Sequence, residues 1–482
     1  MRQTVAVRRR RRTLLVAAGL VVAVVGLTGA ARPRDGFERR SRDLEGALLE
    51  AVRAQHFDQV VDFGPVEGAC PGSEWCPRPA ATIAHHPNID LAVIALDRNG
   101  RPRAAGNVLF SRDHPAGIGV PLDDELGTEA VRWRRWNPDR WNGGTFSEAD
   151  GSQATTVGWN DNPPLTAEDD IVPGREEASI EFMSPYPAST FKLLVAVHTM
   201  RLVDRGRVQL DQPYRYAPPE GTAVSATTRE LLDRMIAESD NDSARALLKQ
   251  LHDLGEVDPM NAAFRDLGLA TLQVNGTNPA DGTRWGIGKI TMTSLDTARL
   301  LLLVNGGPGV LWRTPAGKPV RASEVLSRDS RAILLGMLVD QGWNDVLTTS
   351  NWCGNRYPAA GIPSLVAKRW LDSEDGTVTV AGKNFGADVR PCNERAEVSF
   401  AHKTGFTYNY LSDAGIVRSF RGREGTYIVV MMSNLGYRYA DRRQADPAQP
   451  VCGDEPAKDL GVCYTERFAA LGASIDAILR RR

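Results

Sequence analysis

The rhythm of apolar and polar positions changes several times along this chain, and each change predicts a different element. Over residues 41–56 (SRDLEGALLEAVRAQH), Leu44, Leu48, Leu49 and Val52 fall at helical spacing and predict one apolar stripe on an amphipathic helix. Ile89 to Leu96 is an apolar run interrupted only by Asp90, which predicts a strand that turns at Asn99-Gly100. Residues 111–178 are rich in Gly, Pro, Asp and Trp with little periodicity, and predict an irregular insertion. From about 189 to 350, runs such as KLLVAVHTMRLV and SLDTARLLLLV predict a mostly helical region. A loop-rich stretch covers 351–395, with the strand-like Ala396–Phe400 after it. Two apolar strand-like runs follow, Asp413–Phe420 and Thr426–Ser433, and an amphipathic helix from about 465 to 481 closes the chain.

Strand-forming segments therefore lie near both ends, and helices fill the middle. Terminal segments pairing into one sheet would make an α/β body with an inserted all-helical lobe, and a cleft between the two parts is where a ligand would bind.

The first 36 residues predict an address. Arg8 through Arg12 form an unbroken basic run, followed at once by an apolar stretch from Thr13 to Ala31. A basic segment, an apolar segment and small residues near Thr28-Gly29-Ala30 are the parts of an export signal, and the consecutive arginines also suit a twin-arginine signal. The apolar stretch is near the ~18–20 residues that span a bilayer, so an uncleaved anchor through residues 13–31 is the other expectation. Either places the body of the protein outside the cytoplasm, secreted or held at the cell envelope. Six cysteines, at 70, 76, 353, 392, 452 and 463, fit that compartment. None sits at a zinc-ligand spacing, so no metal site is expected. Proximity favours Cys70–Cys76, Cys353–Cys392 and Cys452–Cys463, although six cysteines allow 15 pairings.

Composition narrows the classes without naming a function. At 482 residues, 42% apolar and 24% charged, the chain has ample core for a globular protein. A net charge of −1 offers no basic field for nucleic acid. Only 8 of the 58 basic residues are lysine, so a lysine at a chemically meaningful spacing stands out.

Two lysines do stand out. Ser189-Thr190-Phe191-Lys192 opens the first long helix and puts serine and lysine on one helical face. Unpaired amides and the positive helix end favour an oxyanion beside such a serine, and a desolvated lysine can serve as its base. Ser239-Asp240-Asn241 lies at a helix boundary, where these residue types are also ordinary N-caps. Lys403-Thr404-Gly405 follows the strand-like Ala396–Phe400. Lys403 could hold a carboxylate, with Thr404 hydrogen-bonding it and Gly405 letting a ligand approach the strand edge closely.

Each motif occurs once, and their order matches that of class A β-lactamases and penicillin-binding proteins. Over residues 41–102 and 179–482 the chain resembles the serine β-lactamase and penicillin-recognising superfamily, closest to class A. That resemblance implies an antiparallel sheet of N- and C-terminal segments with flanking terminal helices. It implies Ser189 as nucleophile, Lys192 as general base or relay, and Ser239 as the group passing a proton to the leaving nitrogen. Asn241 would bind the substrate's side-chain amide, Lys403 and Thr404 its carboxylate, and the amides of Ser189 and Phe406 would form the oxyanion hole. The substrate would be a small-molecule β-lactam or a peptidoglycan stem peptide, met by a monomer that needs neither metal nor organic cofactor. The alternatives are a D-alanyl-D-alanine peptidase and a penicillin-binding sensor that does not turn over.

Departures from class A are informative. No glutamate occurs between Glu256 and Glu324, where the resemblance calls for one to activate the deacylating water. Asp281, in Asn278-Pro279-Ala280-Asp281-Gly282, is the nearest loop carboxylate and the candidate for that role, although Asp before Gly is also a common turn. The body spans residues 37–482 and carries a Trp/Arg-rich insertion at about 111–178 and a cysteine-containing one at about 343–395. Trp133, Trp136, Trp141 and Trp159 are expected to pack the first insertion onto the body, with Arg132, Arg134, Arg135 and Arg140 beside them. His198 is expected to be packed, and His402 to point away from Lys403 across the strand.

Overall fold

A computed structural model describes residues 33–62, 66–67, 75–76, 81–83, 85–137, 164–219, 223–353, 360–407, 409–420, 425–436, 439–441 and 462–480. Segment 13–31 with its export or anchor role, Cys70, Cys452, Arg140, Trp141 and Trp159 lie outside the described residues.

The expected sheet is present. Strands β1 (Ile89–Leu96), β2 (Pro102–Phe110) and β3 (Ile118–Gly119) join β4 (Val398–Phe406), β5 (Leu411–Ser419) and β6 (Tyr427–Ser433) in one antiparallel sheet. The spatial order is β4-β5-β6-β1-β2-β3, so the N- and C-terminal halves meet where β6 pairs with β1 and Val429 faces Val93. Strands β1 and β6 are buried along their whole length because both faces of the sheet are covered. This is why they read as unbroken apolar runs instead of alternating ones.

Helix α1 (Pro33–Arg53) covers one face, with Leu44, Leu48 and Val52 buried and Leu49 packed beside them. It lies so close to β2 that a β carbon at Gly106 would touch Leu48 and the Glu45 backbone. The C-terminal helix, Val462–Arg480, packs against α1. Between the two sheet halves come helices α2 (Lys192–Asp204), α3 (Thr228–Asp233), α4 (Asn241–Asp253), α5 (Val257–Asp266) and α6 (Ser294–Asn305). Asp90 on β1 accepts from the Ser294 backbone N–H at 2.7 Å and from the neighbouring Asn107 amide at 2.8 Å. It therefore docks the α6 N-terminus on the face opposite α1. Helix α7 (Arg328–Val339) completes the lobe and lies against β4.

Both insertions fold onto this frame. In the first, Val131–Arg134 pairs in parallel with Ile180–Met183, and Trp133 and Trp136 are buried. Arg132 and Arg134 both engage the buried Asp170, while Arg135 donates to Gln273 Oε1 at 3.1 Å and the Gly288 carbonyl at 3.3 Å. The second encloses its own apolar cluster of Trp352, Val366, Val378, Val380, Phe385 and Val389 and holds the Cys353–Cys392 disulfide. Trp343 and Gln341, at its start, donate to the carbonyls of Glu238 at 2.8 Å and Ile236 at 2.9 Å. The insertion therefore grips the turn that carries Ser239.

Candidate active site

Ser189 lies in a single 3-10 turn, Ala188–Phe191, that runs directly into α2. Ala188, just before it, holds a left-handed backbone (φ 47°), an uncommon conformation for a residue with a β carbon. One turn on, Lys192 is fully buried. Its Nζ donates to the Ser239 carbonyl at 2.6 Å and to Asn241 Oδ1 at 2.7 Å, with Ser239 Oγ at 3.4 Å.

The Ser239 turn has an identifiable local cause. Residues Arg234–Glu238 form a π-helical turn, a form that concentrates at functional sites, and Ser239 ends it in the left-handed region at φ 60°. Asp240 then caps α4 by accepting from the Ser243 N–H at 2.7 Å. The helix-cap reading therefore holds for Asp240, and Ser239 and Asn241 are left to bond with Lys192. Asp240 serves the helix, while Ser239 and Asn241 serve Lys192.

Lys403 reaches the same hydroxyl from the edge strand β4, donating to Ser239 Oγ at 2.8 Å and to its neighbour's Thr404 carbonyl at 2.8 Å. Two buried ammonium groups thus converge on one serine. Burial pushes Lys192 down to about 7, helped by Arg245 and opposed by Asp240. Burial also lowers Lys403, and Lys192 lowers it further; the carboxylates of Asp413 and Asp345 oppose both.

Gly405 has a packing reason within the chain itself. A β carbon there would collide with the Pro187 carbonyl and the Ser412 hydroxyl, so what approaches the strand closely is the chain's own Ser189 turn. Ser412 Oγ donates to the Pro187 carbonyl at 2.6 Å and meets Thr190 Oγ1 at 2.7 Å, fastening turn to sheet. Thr404 is buried opposite Asp413, and Phe406 ends β4 half-buried opposite Leu411.

The structure does not join Asp281 to this cluster. Its Oδ1 accepts from the Thr283 backbone N–H at 2.9 Å and the Thr283 hydroxyl at 2.6 Å, which hold its pKa below the usual carboxylate value. The loop residue that faces Lys192 is Trp285, whose ring centroid is 5.8 Å from Nζ, 5.2 Å from the Phe191 ring and 5.7 Å from the Arg245 guanidinium carbon. Sequence reasoning missed it, because one aromatic in a glycine-rich loop carries no spacing signal.

A second network supports β4 from behind. His402 points away from Lys403, as strand alternation predicts, and is fully buried. Its Nδ1 pairs with Asp413 Oδ1 at 2.7 Å and its Nε2 with Asn344 Oδ1 at 3.1 Å. Burial raises nearby Asp345 to about 6. Asp413 left a faint trace, as a carboxylate opening a strand-like apolar run. Asn344 and Asp345 left none. His198 is packed, as expected, against Glu256 at 3.0 Å.

Residues 175–361 match the Beta-lactamase enzyme family. Solved structures similar to the chain include a mutant of PBP-A in an acyl-enzyme complex with penicillin G, at 16% identity over 92% of this chain and 97% of that one, TM-score 0.43. Another structure of PBP-A is 20% identical over 62% of this chain and 82% of that one, TM-score 0.38. A β-lactamase from Chitinophaga pinensis is 16% identical over 61% of this chain and 85% of that one, TM-score 0.35. No curated protein matches the chain.

Proposed function

We propose that the chain is a serine hydrolase of the β-lactamase and penicillin-binding type that opens β-lactam rings on Ser189, a reading supported by the match of residues 175–361 to the Beta-lactamase enzyme family. The observation that carries this reading is the buried Lys192, hydrogen-bonded to Asn241 Oδ1 and the Ser239 carbonyl while Lys403 donates to Ser239 Oγ. Neutral Lys192 takes the Ser189 proton as Oγ bonds to the lactam carbonyl carbon. The carbon–nitrogen bond then breaks, and the nitrogen receives a proton from Ser239, which Lys192 replenishes. The amides of Ser189 and Phe406 stabilise the oxyanion, a term worth about 10²–10³ in rate for one donor. Lys403 and Thr404 hold the substrate carboxylate, and Asn241 its side-chain amide. In the second half, a water oxygen bonds to the acyl carbon, the ester bond breaks and Ser189 regains its proton. The proposal includes export, with residues 1–36 as signal or membrane tether, and a monomeric body outside the cytoplasm.

Intact-mass spectrometry of the purified protein after mixing with penicillin G tests this reading. One adduct that forms on Ser189 and decays as hydrolysed product accumulates is expected; no adduct and no product would overturn it. One observation favours a second reading, a D-alanyl-D-alanine peptidase or a non-hydrolytic penicillin sensor. The Asp281 side chain bonds Thr283 through Oδ1 and makes no contact with the Lys192–Ser239 cluster among the described residues, so it is not placed beside Ser189 to direct a hydrolytic water. Under that reading the same adduct persists.

A further inference from the structure

We propose that Trp285 sets the balance between forming and losing the acyl-enzyme, by keeping water from Lys192 and from the ester on Ser189. The inference rests on the reading of Ser189 as the acylated nucleophile.

The ring is held in place from several sides. Its Nε1–H donates to the Gly282 carbonyl at 2.8 Å, and its own carbonyl accepts from the Tyr186 hydroxyl at 3.3 Å. Tyr186 lies just ahead of Ser189 in sequence, so the loop and the nucleophile turn are tied together. On the other side Gly282, at φ 72°, packs so close to the α4 backbone that a β carbon would strike the Arg245 carbonyl and the Lys249 nitrogen. Arg284, immediately before the tryptophan, takes a left-handed backbone (φ 64°), which is rare for a side chain of its kind. Such a conformation persists only where its surroundings impose it. The loop is braced to present this ring to Lys192.

Two chemical consequences follow with opposite effects on turnover. The ring removes water from one side of the Lys192 amine, and burial is the main cause of its depressed pKa near 7. The charged groups facing that amine are Asp240, which favours its protonated form, and Arg245 and Lys403, which oppose it. A neutral amine at neutral pH speeds removal of the Ser189 proton. Hydrolysis needs a different thing from this wall, a polar group that orients water toward the acyl carbon. The indole has one polar hydrogen, and Gly282 already holds it. Trp285 is thus a positioning residue acting through Lys192 and through the exclusion of water.

The test compares the purified wild-type protein with Trp285→Ala, Trp285→Gln and Trp285→Phe, using two probes. Penicillin G acylates Ser189 through ring opening, and a fluorophosphonate phosphonylates it as the phosphorus–fluorine bond breaks and fluoride leaves. In Trp285→Ala the penicilloyl adduct is expected to decay about tenfold faster, and the pH midpoint for phosphonylation to move upward from about 7. Trp285→Gln, which fills part of the space with a polar group that admits water, should shift both in the same directions should the alanine variant fail to fold, and Trp285→Phe should resemble wild type. Unchanged lifetime and midpoint in the alanine or glutamine variant overturn the proposal. If the fluorophosphonate labels Ser189 and penicillin does not, the β-lactam reading fails, while the midpoint shift still decides the role of Trp285. If neither probe labels Ser189, both readings fall.

Discussion

Two walls face each other across Lys192, and they differ in kind. One is built from Ser239, Asn241 and Lys403, every one hydrogen-bonded at 2.6–2.8 Å into a single polar network. The other is the 278–288 loop, whose nearest group is an aromatic ring and whose carboxylate, Asp281, is turned back on Thr283. On the proposed reading the first wall moves protons, whereas the second displaces water. Acyl transfer to Ser189 then draws its proton path from the first and a dry, neutral Lys192 from the second. Hydrolysis of the ester needs a polar group to orient water, which the aromatic ring does not supply. A complete set of motifs therefore specifies the first half of the reaction more firmly than the second.

The comparison breaks most directly at the nucleophile. Ser189→Ala should abolish covalent labelling by a fluorescent penicillin, and labelling that survives would show the polar wall to be serving another residue. Lys192→Met should slow acylation by about 10²–10⁴-fold, the range of general-base catalysis; a loss below tenfold would remove the lysine from that role. In the wild-type protein acylation should rise with pH through about 7, because deprotonation of Lys192 creates the base. A rate flat from pH 5 to 9 would contradict that assignment. The stability consequence runs the same way. A lysine whose folded pKa lies below its unfolded value of about 10.4 destabilises the fold most at low pH, and the penalty is relieved as pH rises from about 7 to about 10.4.

Smaller effects sharpen the contrast. His402→Leu leaves Asp413 buried without its imidazole partner and should destabilise the protein by about 3 kcal/mol, read from denaturant unfolding. A loss within 0.5 kcal/mol, the scatter of ordinary surface changes, would mean that the network behind β4 is slack. Asp281→Asn is expected to have the least effect, leaving the acyl-enzyme lifetime unchanged because the carboxylate is already occupied by Thr283. A prolonged adduct would restore Asp281 as the activator of water.

Much of this was legible in the sequence. The paired halves of the sheet announced themselves through Ile89–Leu96 and Thr426–Ser433, because strands buried on both faces carry little but apolar residues. The three motifs named Lys192, Ser239, Asn241 and Lys403, which meet through hydrogen bonds, since each carries chemistry at a fixed short spacing. What escaped was long-range and aperiodic. Asn344 and Asp345 come from an irregular insertion, and only folding brings them behind β4. Trp285 belongs to a loop where no period predicts direction. At Gly405 the need for a missing β carbon is visible in sequence, but its packing partner, Pro187, is 218 positions away and is not.

The sheet that joins the N- and C-terminal segments also fixes when the Ser189 turn finds its support. Ser189 and Lys192 are synthesised early, but β4, which carries Lys403 and seats the Ser189 turn through Gly405, emerges more than 200 residues later. A nascent chain halted before Val398 lacks both the second ammonium group and the strand that supports the nucleophile. On the proposed reading Ser189 is therefore seated only after the Val398–Phe406 strand has been made, so its emergence during synthesis and its activity are separated in time.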